Sequence, residues 1–375
     1  MIVTGMLGFG IAPPVLAQTL HPEAVSPSPN IASVDAAVGR LMDQGHFPGV
    51  AVAVLRDGQP VHIGAYGFAN LSDRVPVSRQ TVFELASLTK QMTALAVLDL
   101  AQQGLISLDD PLTDYVDGAP DGWADITINQ LLSHTAGLAH RFEEKPNGEF
   151  LLNYSTEQML DGAMATDMVA EPGTDWTYSD QGYFLLGLVI EKVTGQTYAD
   201  YMQDRFFRPL GMRQTLVLDQ SAIVPHLAQG YIFEDGALRR GRRVWQFELT
   251  SHFGVMSSLD DLILWEAMLA DPPADLVEPI RETGAIQRQF DHGETCDDWG
   301  YARGWMATQV GDGLTVDHAG YSGTAYVRDI GRGLSVIVLT NREDNEAQIS
   351  PMAIAWAALN AIDPAIPPEG YQCWQ

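Results

Sequence analysis

The sequence predicts an α+β fold, an antiparallel sheet flanked by helices with an all-helical unit inserted into it. Three observations predict it. Apolar runs of strand length, bounded by turn residues, occur at 49–66 and return over 304–340. From about Asp109 to Tyr231 the pattern is instead periodic at helical spacing, with Gly and Pro punctuation. A chain of 375 residues that is 46% hydrophobic can bury one large core or two interlocked ones. The organisation read from this is a leader and linker over 1–35, a sheet domain formed by 36–108 and 232–375, and a helical domain over 109–231.

Met1 to Gln18 is mostly apolar, and Val15-Leu16-Ala17 resembles a small-residue cleavage site, although no basic stretch precedes it. It is either an export signal whose start is truncated or an uncleaved apolar arm; the expectation is a periplasmic or secreted protein. Pro22 to Ala36 reads as a polar linker and Ala37 to Met42 as part of a helix. Gly49 to Leu55, the turn Arg56-Asp57-Gly58-Gln59, and Val61 to Tyr66 read as a hairpin. Met92 to Leu100 is a helix with so narrow a polar face that it should be buried. Thr156 to Met168 and Gly182 to Val193 are helical patches. Strands are expected over Gly304–Val310, Thr315–Ala319, Thr324–Asp329 and Leu334–Thr340, with turns at 311–313 and 331–333, and a last helix over Pro351–Ile362. No interior run is long and apolar enough for a membrane-spanning helix, so no stable insertion is expected once the leader is removed.

Forty-eight acidic residues against 21 basic ones give a net charge of -27, which argues against nucleic acid or an anionic membrane as partner. The acidity and scarcity of lysine also suit a salty medium. Arg239-Arg240-Gly241-Arg242-Arg243 is isolated and reads as a solvated loop. The two cysteines, Cys296 and Cys373, are either joined, pinning the chain end to the body, or free. Nothing has metal-ligand spacing, and neither metal nor cofactor is expected.

The chemistry centres on Ser87-Leu88-Thr89-Lys90, which places a hydroxyl and an amine one turn apart at a helix start. A serine hydroxyl needs a base within hydrogen-bond reach, and Lys90 is one of only three lysines in the chain. Two further polar signatures follow, Tyr178-Ser179-Asp180 and His318-Ala319-Gly320.

With these motifs, the chain resembles the serine beta-lactamase and penicillin-binding-protein superfamily, in its class C-like branch of beta-lactamases, D-peptidases and carboxylesterases. The resemblance runs from about Phe47 to Asn341. It includes Phe83-Glu84-Leu85-Ala86, the segment Ile126 to Leu138 with Leu131-Leu132-Ser133-His134-Thr135-Ala136-Gly137-Leu138, Glu171-Pro172-Gly173, Tyr178 to Tyr183, and Pro209-Leu210-Gly211-Met212. It implies the superfamily's fold, with the active site between sheet and helical domain.

The resemblance makes Ser87 the nucleophile and either Lys90 or Tyr178 its base, with Tyr178 shuttling the proton to the leaving group. Asp180 stands where the family's Tyr-x-Asn element usually has asparagine, whose amide donates to a substrate carbonyl; an ionised aspartate can only accept. Asp180 then holds Lys90 protonated, meets a substrate amine, or is itself protonated. His318 and Gly320 match the element written Lys-Thr-Gly or His-x-Gly, with His318 polarising the far side of the site. The oxyanion hole would be the backbone N–H groups of Ser87 and Tyr321. His134 is expected to brace a helix–loop junction, and His140, His226, His252 and His292 to be local or surface residues. Gly254 to Ser258 resembles a family turn before a helix starting at Asp260-Asp261. Trp176, Tyr183, Phe253, Trp305 and Tyr326 either line an acyl pocket or belong to the core.

The expected activity is a serine acyl hydrolase, most simply an esterase, acting on a small ester or peptide through a covalent acyl-enzyme. The alternatives are a D-stereospecific peptidase or carboxypeptidase, a class C-like beta-lactamase, and a non-catalytic binding homologue. Oligomeric state is not legible.

Overall fold

The computed structural model describes residues 29–142, 152–219, 222–241, 245–276, 288–289, 298–310, 313–344 and 349–371. The apolar leader, His292, Cys296, Cys373, Arg242 and Arg243 lie outside the described residues.

The first and last thirds of the chain close one sheet. Among the described residues it has nine strands, all antiparallel, in the order Arg288–Gln289, Asp298–Tyr301, Met306–Val310, Gly313–Gly320, Thr324–Asp329, Leu334–Thr340, Gly49–Arg56, Gln59–Asn70, Val75–Pro76. The hairpin between Gly49–Arg56 and Gln59–Asn70 turns through Asp57 and Gly58, with φ of +48° and +73°. Two successive positive φ values are what a two-residue hairpin needs, and Asp-Gly supplies them with little strain. Gly49–Arg56 and Leu334–Thr340 are paired with Val52 opposite Val338 and are buried on both faces, which explains their unbroken apolar runs.

Alternation sorts the side chains between two cores. Val50, Val52, Val54, Val336 and Val338 face the helices Pro29–Gly45 and Pro351–Ile362. Ala51, Ala53, Leu55, Ile337 and Leu339 face the layer that holds the helix Thr89–Gln102. The first helix begins at Pro29, so residues 29–35, expected as linker, are helical. Val34 and Val38, one turn apart and both fully buried, dock it on the sheet, and such packing stabilises a helix whose local pattern is weak.

Thr89–Gln102 is buried at every position from Thr89 to Leu100. Most of its polar groups find partners inside the protein: Thr93 donates to the carbonyl of Ser251, the Gln91 carbonyl accepts from Trp265, and Asp99 pairs with Arg205, while the Gln91 amide nitrogen has no partner among the described residues. Between the sheet's two contributions lie Ile128–Leu132, Thr156–Met164 and Asp180–Thr194. The first two start in capping boxes, Thr127 with Gln130 and Ser155 with Gln158. The second of these ends at Met164, four residues short of the expected end.

Thr324–Asp329, Leu334–Thr340 and Pro351–Ile362 have the expected bounds. Met306–Val310 starts two residues late because Arg303 (φ +45°) and Gly304 (φ +95°) form a turn against the buried helix. A Cβ on Gly304 would lie 2.5 Å from Gln91 Cα. Arg239 and Arg240, expected in a loop, are exposed strand residues of the hairpin Tyr231–Glu234/Ala237–Arg240, where Arg239 pairs with Asp235. Among the described residues no helix is long and apolar enough to cross a membrane, and no group of His, Cys, Asp and Glu is placed to hold a metal ion.

Candidate active site

Ser87 lies in the 3₁₀ turn Ala86–Leu88 that runs directly into the helix carrying Lys90, not within the α-helix itself. Ala86 takes a φ of +46°, an uncommon conformation for a residue with a side chain. The strand Gly313–Gly320 crosses immediately beside this turn. A Cβ on Gly320 would lie 2.3 Å from the Leu85 carbonyl oxygen, so only glycine allows that approach. The Thr324 hydroxyl donates to the same carbonyl at 2.9 Å, and Ser322 donates to that of Glu84. Strand and serine turn are thus locked together.

Lys90 is fully buried. Its Nζ lies 3.2 Å from Ser87 Oγ, 2.7 Å from Asp180 Oδ1 and 2.8 Å from the carbonyl oxygen of His252. An ammonium has three N–H donors, and these three acceptors suffice for them, with the Tyr178 hydroxyl a fourth oxygen in reach. Burial pushes the Lys90 pKa down, but the charge of Asp180 and the neighbouring Tyr178 outweigh it and hold it above the ordinary value. Burial likewise pushes Asp180 up, and Lys90 brings it down to about 2. The first turn of the helix Asp180–Thr194 also favours a carboxylate through its unpaired N–H groups. Of the three roles open to Asp180, the geometry forms the ion pair with Lys90. The Asp180 side chain stays 27% exposed, so part of it reaches solvent.

Tyr178 lies over the same group, with Lys90 Nζ 4.7 Å from its ring centroid and its hydroxyl in hydrogen-bonding reach of Lys90 and Ser87. Burial raises its pKa, while Lys90 pulls the other way. His134, ending the Ile128–Leu132 turn, and Ser179, the N-cap of the next helix, hold the loop that carries Tyr178.

His318 is buried, and its Nδ1 lies 2.8 Å from the Ala319 carbonyl oxygen. A carbonyl only accepts, so Nδ1 carries the proton and Nε2, 3.5 Å from the Tyr301 hydroxyl, is bare in the neutral ring. Burial lowers its pKa to about 4. At neutral pH His318 therefore offers no cation to the far side of the site, and any polarisation there is that of a neutral ring. Tyr321 follows Gly320 with its side chain 65% exposed at the rim. Among the described residues, the backbone N–H groups of Ser87 and Tyr321 donate to no protein acceptor, as an oxyanion hole requires.

The aromatic candidates divide. Trp305 and Tyr326 are core residues, stacked edge to face at 5.2 Å, with the Tyr326 hydroxyl on Glu266. Tyr183 is buried beneath the site and donates to the Leu132 carbonyl. Trp176 and Phe253 are half-buried. Three contributors were not legible. His252, expected to be local or surface, is buried and gives Lys90 a carbonyl acceptor; its ring sits among Phe142, Phe184, Phe247 and Phe253 and is held neutral, its pKa lowered to about 3 by burial. His140 supplies the carbonyl that accepts the Asp180 N–H at 3.1 Å. Tyr301 reaches His318 from 17 residues earlier, two strands away in the sheet. No local pattern marks a residue that acts through its backbone, or one brought in by sheet pairing.

Comparison with known proteins bears on the family and the fold. The chain is 28% identical over 331 residues to penicillin-binding protein 4* of Bacillus subtilis (strain 168), covering 81% of this chain and 70% of that one. It is 29% identical over 247 residues to protein flp of Staphylococcus aureus (strain MW2), covering 64% of this chain and 49% of the relative, so it spans only about half of that protein. Its structure is similar to that of the octameric penicillin-binding protein homologue from Pyrococcus abyssi, with a TM-score of 0.77 and 25% identity over 90% of this chain and 78% of the other. EstCE1, a hydrolase with promiscuous acyltransferase activity, shares the fold at a TM-score of 0.74 and 23% identity, over 89% of this chain and 98% of its own. The family described as Beta-lactamase matches residues 34–359, nearly the whole described body, and the chain belongs to that family of serine hydrolases.

Proposed function

We propose that this protein is an esterase-type serine acyl hydrolase for small neutral esters, working through a Ser87 acyl-enzyme. The observation that carries the reading is the buried Lys90, its three donors shared among Ser87 Oγ, Asp180 and the His252 carbonyl. Because Ser87 Oγ accepts from Lys90, its own proton is free to point at Tyr178. In the reacting form Tyr178 is a phenolate stabilised by the Lys90 charge; it takes that proton as the serine oxygen bonds to the ester carbonyl carbon, and so becomes the phenol that later protonates the leaving alkoxide. The N–H groups of Ser87 and Tyr321 receive the developing oxyanion. Tyr178 then returns the proton to the departing alkoxide, and water releases the acid by the same steps in reverse order.

Two features favour an ester over a beta-lactam or a D-alanyl terminus, both of which bring a carboxylate. His318 is neutral where a cation would attract that carboxylate, and Asp180 offers an acceptor where an amide donor would bind an acylamino carbonyl. The partly exposed carboxylate of Asp180 also supports a second reading, a peptidase whose substrate presents an N–H to it.

The test is turnover of a short p-nitrophenyl ester, a D-alanyl anilide and a chromogenic cephalosporin, with intact mass followed beside Ser87→Ala. Ester turnover with a Ser87-dependent acyl adduct is expected. Exclusive turnover of the anilide would move the reading to the peptidase, and no turnover or adduct with any of them would leave a non-catalytic homologue.

A further inference from the structure

We infer that His134 is a positioning residue for Tyr178, a role that rests on the reading of Tyr178 as proton acceptor given above. His134 grips the chain on both sides of that tyrosine. Its carbonyl oxygen accepts the N–H of Thr177 at 2.9 Å, and its ring Nδ1 accepts the N–H of Ser179 at 3.1 Å. The residue between these two contacts is Tyr178.

The backbone of His134 has to be bent to do this. Its φ is +59°, a left-handed conformation that lets one residue turn both its carbonyl and its ring toward the 177–179 segment. The ring is buried and packs on Tyr178 itself, with centroids 4.6 Å apart, and on Tyr301 and Tyr183 at 4.5 and 5.0 Å. The same strap continues on either side. Gly173 N–H donates to the Thr135 carbonyl, the Ser179 hydroxyl to that of Ala139, and Asp180 N–H to that of His140. Gly137, in this strap, has a φ of +75°, and a Cβ there would lie 2.0 Å from the Ala170 carbonyl oxygen.

The chemistry of the ring fits an acceptor and not a proton carrier. Nδ1 faces an N–H donor, so the neutral ring carries its proton on Nε2, and among the described residues Nε2 has no hydrogen-bond partner. Burial and the charge of Lys90 hold the ring neutral, so it keeps the lone pair that Ser179 requires. His134 touches no reacting atom. Its effect is to fix where the Tyr178 hydroxyl lies relative to Ser87, and small misplacement of such a group is costly.

The experiment is a double-mutant cycle on ester turnover. His134→Gly removes the ring without straining the left-handed backbone. His134→Asn keeps an acceptor, since its Oδ1 occupies the same place along the side chain as Nδ1, and asparagine tolerates this φ. His134→Gly should lower kcat by about 10²-fold with KM within about threefold, while His134→Asn should recover at least about tenfold of that loss. In a Tyr178→Phe background, His134→Gly should cost less than about threefold, because the group it positions is gone.

Equal loss in both backgrounds would overturn the inference and make His134 a generally structural residue. If His134→Gly does not fold, His134→Asn decides alone: near-wild-type kcat supports the acceptor role, and a loss as large as that of Tyr178→Phe defeats it. A Tyr178→Phe variant with undiminished turnover would instead sink the assignment of Tyr178, which is a separate failure.

Discussion

The two ends of the helix Thr89–Gln102 each bury a charge and answer it differently. At the start, Lys90 meets Asp180 at 2.7 Å, and at the end Asp99 meets Arg205, also at 2.7 Å. In each pair one partner is fully inaccessible to solvent. At the far end everything is saturated. Arg205 approaches both oxygens of Asp99 through Nε and Nη2, and Tyr201 and Gln103 add further donors to the same carboxylate. A planar fork on a carboxylate is a fixed geometry suited to holding two helices together. At the near end a point charge on a flexible stem is shared among a carboxylate, a carbonyl and a hydroxyl, and the hydroxyl belongs to a half-buried serine. The difference between a structural and a chemical ion pair here is therefore one of what else the cation touches, not of distance or burial.

Removing one partner at each end separates the two roles. Lys90→Met should lower kcat/KM for an ester by about 10³-fold or more, since it removes both the contact to Ser87 and the charge that stabilises a Tyr178 phenolate. Its melting temperature should change little, because Asp180 is partly exposed and can take up water or a proton. Asp99→Asn should do the reverse. Arg205 is itself partly exposed and keeps Asp275, but the substituted amide at the fully buried position 99 turns an N–H toward the Arg205 donors, an unmet buried group that costs about 2 kcal/mol, visible as a lower denaturant midpoint, with kcat unchanged. Parallel loss of activity and stability in both variants would erase the distinction between the two ends.

The near end can be sharpened further with Asp180→Asn. The carboxylate is the largest influence opposing the burial that would otherwise depress the Lys90 pKa. Without it the Lys90 pKa should fall, so the ammonium that stabilises the Tyr178 phenolate is lost at lower pH, and the alkaline limb of the acylation rate should move toward neutrality. Selectivity should shift at the same time toward acylamino substrates, because an amide restores a donor. An unmoved pH profile and unchanged relative rates would show that the pair does not set the charge state used in the reaction.

The same contrast explains what was legible in the sequence. Thr324–Asp329, Leu334–Thr340 and Pro351–Ile362 are dense in apolar signal and bounded by turn or capping residues, so local physics suffices for them. Ser87, Lys90, Tyr178 and Asp180 stood out because each falls in a short polar motif, and the structure brings all four together. The partners that complete the site were not legible, since they depend on pairings across the fold: His252 lies 162 residues from Lys90 and acts through its carbonyl. The Asp99–Arg205 bond spans 106 residues and has no motif at either end. The helical start at Pro29 was hidden for the same reason, as its stability comes from the sheet beneath Val34 and Val38.

A third buried carboxyl extends the comparison to a group without a cation. Asp317 sits in the strand Gly313–Gly320 between Met306 and Val327 on the neighbouring strands, and among the described residues no cation pairs with it. Burial alone pushes its pKa up to about 7, in contrast to Asp180, which Lys90 holds at about 2. The native protein therefore keeps a proton on Asp317 that the unfolded chain, with its ordinary value of 3.8, has already lost. Stability falls as pH rises from about 4 through about 7 and is then level as far as this group is concerned. Asp180 works in the opposite sense, its contribution being intact above about 4 and lost as pH falls through about 2. Asp317→Asn, which cannot ionise, should accordingly raise the melting temperature at pH 8 by a few degrees and change it little at pH 4, with ester turnover intact. A difference that is the same at both pH values would mean that Asp317 is ionised in the native sheet and that an unpaired buried carboxylate is tolerated there, against the rule that the two ends of the serine helix obey.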